Sequence, residues 1–544
     1  MPLAPSARMP QVRASIVFGS SGAAPGSAPA RVLVIGSRVA ANLDAVVHTG
    51  PATSTTLTTT AGLAAFDRAT RVLSPDEAAT QAGHGSELHH GAVAAFAQHR
   101  GAEVWIAPVT PGVGATFASA VITPTVTVLA AGTLRVTVMG ESVEFGVSAS
   151  DTVSTLGRKI AQAINEQRHW PVTATNVWAT GAVTVTAKCA GPRGNAVTLR
   201  LALVAASATV EVTDATAQTA FGLTVALTGG TVDGGVYRLA GGATDDNLTA
   251  LLTSLAAVKF ERIAFAGYRV GGAASANLAR LTDAVSGLSD VAMFDEQVVF
   301  GSVESPGNSI ALAQGNNRER AQLVEHTGSD DLPLVIAAQV ATARLFGDGA
   351  LGGTIEGELA RPAGNLNDLE LATLRAPRDP ADLLDPVEAE AALSAGVTPL
   401  RMSPTRPGRM ALMSSITVRS LNGAVPDYSV FKTKEVTVAD YVRSVVVADL
   451  ARTFRGFNLV NDDPSGEPPL TPKTASPSMV KARIYGLLKQ IESRGVITEV
   501  DARAVEIEVT RNVTNPRRLD FTFPTVAPSD FDIADGLIYQ RQAA

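Results

Sequence analysis

One cysteine, Cys189, stands in a chain of 544 residues. That excludes an internal disulfide framework and a cysteine-built zinc site. Charge is sparse as well, at 17% of residues, while apolar residues reach 46% and mean hydropathy is +0.17. Globally disordered chains have the opposite balance. No run approaches the ~20 apolar residues of a membrane-spanning helix. The opening MPLAPSARMPQVRAS has no apolar core of a signal peptide. The expectation is a protein without a membrane anchor, made and kept in the cytosol or leaving it only inside a larger particle. Positive charge is in deficit, with 44 Lys+Arg against 51 Asp+Glu and a net charge of −7. Coating nucleic acid needs a positive field, so no nucleic-acid partner is expected.

Several chemical motifs are missing. There is no G-x-x-x-x-G-K-[ST] phosphate loop and no G-x-S-x-G nucleophile elbow. The glycine after the first strand opens Gly36-Ser37-Arg38-Val39, which lacks dinucleotide spacing. Aromatic residues are few (5%), whereas 48 glycines and 30 prolines predict many turns and short strands. The length suggests roughly 3–4 domains.

Prolines at 2, 5, 10, 25 and 29 exclude a helix from residues 1–28, read as an extended arm. Within it Val12, Ala14, Ile16 and Phe18 mark a strand-like segment without a partner nearby in sequence. From Arg31 the pattern is α/β. Strands are expected at 32–35, 103–108, 261–266, 291–300 and 334–338, and helices at 86–100, 245–258 and 273–288. Alternation of this kind predicts a mostly parallel sheet. Residues 113–232 differ, because Thr-Val alternation dominates (TPTVTV, LRVTV, VTVTAK) around one helix at 151–165. They read as a β-rich α+β domain inserted into an α/β domain made of 29–112 and 233–400. Residues 362–408 look like a connecting region. The segment 401–530 reads as an α+β domain. One helix is expected after a Thr437/Asp440 N-terminal pair and another from Ser476-Pro477. Strands follow at Val505/Ile507/Val509 and Leu519/Phe521/Phe523. Residues 531–544, with Leu537, Ile538 and Tyr539, form a second arm.

His84, His89, His90 and His99 do not have the spacing of a metal site. His89 and His90 point apart, so solvated helix histidines are the expectation, and no metal or cofactor is predicted. His84-Gly85-Ser86 is similar to the His-Gly-Thr of subtilisin-type proteases. Catalysis would also need a serine nucleophile and an oxyanion hole, and no Gly-Thr-Ser-Met-Ala-like motif follows. Asp245-Asp246 and Asp462-Asp463 read as helix-start or loop carboxylates, and Cys189 as an inert thiol. No catalytic residue is assigned, and no enzyme is expected. Unpaired strand-like arms at both ends expose backbone groups that seek a sheet edge, which points to an assembly protein.

Charge is divided unevenly. Residues 401–544 hold 19 Lys+Arg and 16 Asp+Glu, a net +3, which leaves 25 against 35, or −10, in the rest. On the helix after Ser476, Val480, Ile484, Leu487, Leu488 and Ile491 form one stripe. Lys481 and Lys489 lie opposite it, with Arg483 flanking.

The order and spacing of several segments resemble the contractile phage tail sheath proteins of the Mu-like kind. These are MPQVRASIVFGSSGAAPGSAPARVLVIGS, HGSELHHGAVAAFAQHRGAEVWIAPV, GTLRVTVMGESVEF with VTVTAKCAGPRGNAVTL, Thr471-Pro472-Lys473, and Arg511-Asn512 with Asn515-Pro516-Arg517-Arg518-Leu519-Asp520. The resemblance implies a subtilisin-like α/β core without protease activity, an inserted domain, and a C-terminal domain beside an inner tube. It implies arms that add strands to neighbouring subunits in a helical cylinder, which contracts to drive the tube through a cell envelope. Implied partners are further copies of the chain, a tail tube protein, and baseplate and tail terminator proteins. The implied place is the tail of a virion assembled in a bacterial cytoplasm. Lys481, Arg483 and Lys489 would then face the tube. A phage-derived bacteriocin or secretion machine would use the same residues. The alternative from another class is a subtilisin-like serine hydrolase with a β insert, active or inactive.

Overall fold

The structure is a computed structural model. It describes residues 31–346, 366–462 and 473–528, apart from 128, 206–208, 213–215, 234, 235, 293, 295, 424 and 428. Both arms, with Val12, Ala14, Ile16, Phe18, Leu537, Ile538 and Tyr539, lie outside the described residues. The described chain divides into two compact units, 31–346 with 366–433, and 434–528. Both mix helices with strands.

The larger unit is built on an eight-stranded sheet. Its order is Met410–Leu412, Val397–Met402, Ala321–Glu325, Gln297–Ser302, Arg262–Ala266, Arg31–Gly36, Glu103–Pro108 and Thr70–Val72. The six inner strands run parallel and the two outer ones antiparallel. Val32, Leu33, Val34 and Ile35 are fully buried, as are Val298, Val299 and Phe300. Continuous apolar runs of this kind belong to strands covered on both faces. The helices Glu87–Gln98 and Pro333–Phe346 pack on each other and over these strands.

Residues 117–228 supply two antiparallel sheets. One orders Gln218–Ala220, Leu223–Thr228, Phe117–Val126, Val183–Ala190 and Val172–Asn176. The other orders Thr209–Val212, Leu199–Val204, Gly132–Val138 and Glu141–Val147. Thr-Val alternation turns valines inward, as in Val183–Ala190, where Val183 and Val185 are buried between half-exposed threonines. The helix Val153–Glu166 carries Leu156, Ile160 and Ile164 into the same core, and Thr152 and Thr155 cap it reciprocally.

In the smaller unit the helices Thr433–Thr453 and Pro477–Glu492 and the hairpin Glu508–Arg511/Leu519–Thr522 share a core of Val442, Val446, Ile484, Leu488 and Phe523. Ser476 caps the second helix through Met479 N–H, and Pro477 takes the first helical position.

Several expected elements are corrected. Residues 334–338 are not a strand but the start of the helix Pro333–Phe346. A short apolar run reads either way, and the proline at the first helical position was the deciding signal. Residues 291–292 finish the helix Ala276–Ala292, and the strand begins only at Gln297. The expected helix at 245–258 is only Thr249–Leu255. Thr437 and Asp440 lie inside the helix Thr433–Thr453 rather than at its cap. Residues 504–506 are one 3-10 turn rather than strand. The supposed connecting region contains the helix Pro386–Ser394, capped by an Asp385–Glu388 box, and the sheet strand Val397–Met402.

Candidate functional site

The sheet's topology locates the place where chemistry would be expected. From Arg31–Gly36 the chain crosses to Glu103–Pro108 on one side. From Arg262–Ala266 it continues to Gln297–Ser302, Ala321–Glu325 and Val397–Met402 on the other. Open α/β sheets bind ligands beyond the carboxyl ends of strands where the order reverses in this way. Here those ends lead into Ser37 and Tyr268.

The crevice is occupied by the chain itself. Arg193, in the single turn Pro192–Ala196 of the inserted segment, reaches into it with a side chain only 2% exposed. Its Nη1 donates to Glu87 Oε2 (2.8 Å) and its Nε to Asp246 Oδ2 (2.7 Å). Its guanidinium carbon lies 4.7 Å from the Phe265 ring centre and 5.2 Å from that of Tyr268. Glu87 stands in the first turn of the Glu87–Gln98 helix, and its Oε2 also accepts from Ser37 N–H (2.9 Å). Gly36 allows this approach, since a Cβ there would lie 2.6 Å from Leu334 Cδ2 and 3.0 Å from Glu87 Oε2. The Tyr268 hydroxyl lies 2.8 Å from both Asp245 Oδ1 and Asp246 Oδ2. Asn277 Nδ2 and Ser275 Oγ donate to Asp245 at 2.8 and 2.7 Å.

Burial works against the charges of Arg193 and Glu87. It would lower the Arg193 guanidinium, but Asp246 and Glu87 more than offset it and hold the group charged. Burial pushes Glu87 up against the pull of Arg193. Cys189, beside them, donates its thiol to Ser37 O (3.6 Å), and burial pushes it up to about 12. It is not a nucleophile at neutral pH.

The His84 loop is sealed by the same insert. Lys188 Nζ donates to the carbonyls of His84 (3.1 Å) and Arg168 (2.7 Å), and burial lowers it to about 8. A Cβ on Gly85, at φ +74°, would lie 2.3 Å from Trp170 O. The expected solvated histidines are corrected in part. His84 is exposed, but His89 is buried, accepts from Gly85 N–H at Nδ1 (3.2 Å), and is lowered to about 4 chiefly by burial. Burial takes His90 down to about 3. These two lie on the packed side of the helix because the insert covers it. Among the described residues no group of three His, Cys, Asp or Glu side chains could hold a metal ion.

On the helix Pro477–Glu492 the three expected surface cations differ in setting. Lys481 is exposed. Arg483 forms a two-pronged pair with Asp449 (2.6 and 2.7 Å), which holds that carboxyl down at about 2. Lys489 bridges Glu492 and Asp501, the latter at 2.9 Å. Sequence reasoning missed Arg193, Glu87 and Tyr268 and took Asp246 for a loop carboxylate. The usable signal was an arginine between glycines, in Gly191-Pro192-Arg193-Gly194, amid apolar strands.

No protein-family model matches the chain, and no curated protein matches it. Solved structures of similar form cover nearly all of it. A sheath tail protein of Desulfitobacterium hafniense is 12% identical, spanning 96% of this chain and 100% of that one, with a TM-score of 0.41. A sheath tail protein of Listeria innocua is 13% identical over 95% and 94%, with a TM-score of 0.43. A chain from the anti-feeding prophage baseplate is 10% identical over 98% and 100%, with a TM-score of 0.40. Structural neighbours of the chain over nearly its whole length thus include two sheath tail proteins and a component of a prophage baseplate.

Proposed function

We propose that this chain is a structural, non-enzymatic subunit of a contractile tail sheath. It polymerises as a helical cylinder around an inner tube and contracts to drive that tube through a cell envelope. The observation that carries this reading is the filled switch-point crevice. Where an α/β enzyme of this topology holds its ligand, this chain holds Arg193, Glu87 and Asp246 bound to one another. The core is read as a subtilisin-like domain whose histidine loop has become a seat for the insert. The ordered sheath-like segments in the sequence support the same conclusion. Residues 12–18 and 535–540 are proposed to add strands to neighbouring copies, through main-chain hydrogen bonds that need no large apolar face. Lys481, Arg483 and Lys489 are proposed to face the tube, with Lys481 as the contact not already engaged by a carboxylate of its own unit among the described residues. Partners are then further copies of the chain, a tube protein, and baseplate and terminator proteins, within a virion tail or a related injection particle assembled in a bacterial cytoplasm.

Negative-stain microscopy of the purified chain tests the reading: tubes are expected from the parent, and a folded particle without long tubes from a chain lacking residues 1–20. Specific labelling of a serine by a fluorophosphonate probe, lost in His84→Ala, would overturn it in favour of a hydrolase.

A further inference from the structure

The groups around the Glu87 carboxylate are those that bind a free anion in other α/β proteins. A backbone N–H at a strand end, Ser37 N, donates to it. A buried guanidinium, Arg193, donates to it. A glycine, Gly36, leaves room for it. The first turn of a helix whose N-terminal side chain is Ser86 stands beside it. The donor set exceeds what Glu87 uses. Arg193 Nη2 and Ser37 Oγ are both buried, on residues 4% and 2% exposed, and neither has a hydrogen-bond partner among the described residues. Both belong to residues that already donate to Glu87, Arg193 through Nη1 and Ser37 through its backbone N–H.

We infer that the crevice is a carboxylate cradle and that Glu87 is its tethered ligand, so that the same groups take up a small free carboxylate once the Glu87 side chain is removed. The ligand class follows from the charge count. Asp246 shares the same guanidinium at 2.7 Å, so a second monoanion matches the present arrangement, whereas a dianion would add charge beside a buried carboxylate. Glu87→Ala removes a methylene and a carboxylate, the atoms of acetate. The inference does not depend on the sheath reading.

Because the cradle is closed over, uptake is read across the folding equilibrium of the full chain rather than by soaking. A ligand present at ten times its dissociation constant, and bound only by the folded state, shifts that equilibrium about elevenfold. For a unit of this size that is a rise in Tm of about 2 °C. The experiment compares the parent, Glu87→Ala, Glu87→Gln and the double variant Glu87→Ala/Arg193→Met in sodium acetate, chloride and sulfate at matched ionic strength. The expected result is a saturable rise with acetate for Glu87→Ala alone. The parent and Glu87→Gln keep the site filled, and the double variant lacks the guanidinium. If Glu87→Ala does not fold, the readout is its refolding yield, which acetate should raise and chloride should not. No response to acetate in either readout overturns the inference. So does an equal response to chloride or sulfate, or one that persists in Glu87→Ala/Arg193→Met.

Discussion

Replacing Arg193 by methionine should destabilise the larger unit by about 3–5 kcal/mol, the usual result of removing one partner from a buried ion pair. The methionine keeps most of the aliphatic volume, so the loss comes from two sources. Glu87 and Asp246, at 2.8 and 2.7 Å from the guanidinium, are left as two buried carboxylates with no cation between them. The stacking on Phe265 and Tyr268 also goes, at about 0.5–2 kcal/mol. Whole domains are stable by about 5–15 kcal/mol, so the variant should fold but unfold at distinctly lower urea. The assay is urea unfolding followed by circular dichroism and by tryptophan fluorescence, with Trp170 and Trp105 both in this unit. Adding Glu87→Gln to Arg193→Met removes one stranded charge. The double variant should therefore be no less stable than the single one, with coupling of about 1–3 kcal/mol in a double-mutant cycle. A midpoint for Arg193→Met equivalent to a loss under about 1 kcal/mol would refute the reasoning, because the guanidinium would then be dispensable to the carboxylates around it.

Stability should be nearly flat between about pH 4.5 and 6 and fall steeply below. His89, His90 and His326, lowered chiefly by burial to about 4, 3 and 3, take up protons only when unfolded in that window. Glu304, Glu325 and Asp331, raised chiefly by burial to about 7, 7 and 6, keep theirs only when folded, so the two sets cancel. Below about pH 4.5 the unfolded carboxyls are protonated too, and the uncompensated histidines cost roughly 3–4 kcal/mol per pH unit. Urea titrations across pH check this, and Glu325→Gln should convert the flat stretch into one rising with pH. Gly85→Ala should lower urea stability by more than about 1 kcal/mol, since it pairs a positive φ with a 2.3 Å clash against Trp170 O, and a neutral result would mean the seam is loose. Lys481→Glu should leave the melting temperature within about 1 °C and weaken tube co-sedimentation at low salt, each exposed pair being individually small, ~0–1 kcal/mol. Equal co-sedimentation with parent and variant would place the tube contact elsewhere.

Periodicity carried most of the regular structure into the sequence. Val32 to Ile35, the Thr-Val strands, and the Val480, Ile484, Leu487 stripe behind Ser476-Pro477 were legible because their burial repeats at a fixed interval. Residues 334–338 misled because a helix buried all round has no polar face to betray its period. The crevice was not legible for a different reason. Arg193 meets Glu87 across 106 residues and Asp246 across 53, and each looks ordinary among its own neighbours. Only the fold brings the three charges into one dry place. The same holds for Arg483, whose partner Asp449 lies 34 residues back on another helix.

The first strand of the sheet has a long wait during synthesis. Arg31–Gly36 pairs with Glu103–Pro108 on one side, but on the other with Arg262–Ala266, and Arg31 N–H donates to Glu261 across 230 residues. At ribosomal speeds of about 5–20 residues per second, that partner emerges on the order of 10–45 s later. Throughout that interval a strand with the apolar run 32–35 has an unfinished edge, while the insert completes its own antiparallel sheets beside it. The nascent chain is therefore most vulnerable early and over a single short segment. A chaperone binding the apolar run 32–35 would protect it more effectively than one acting after release.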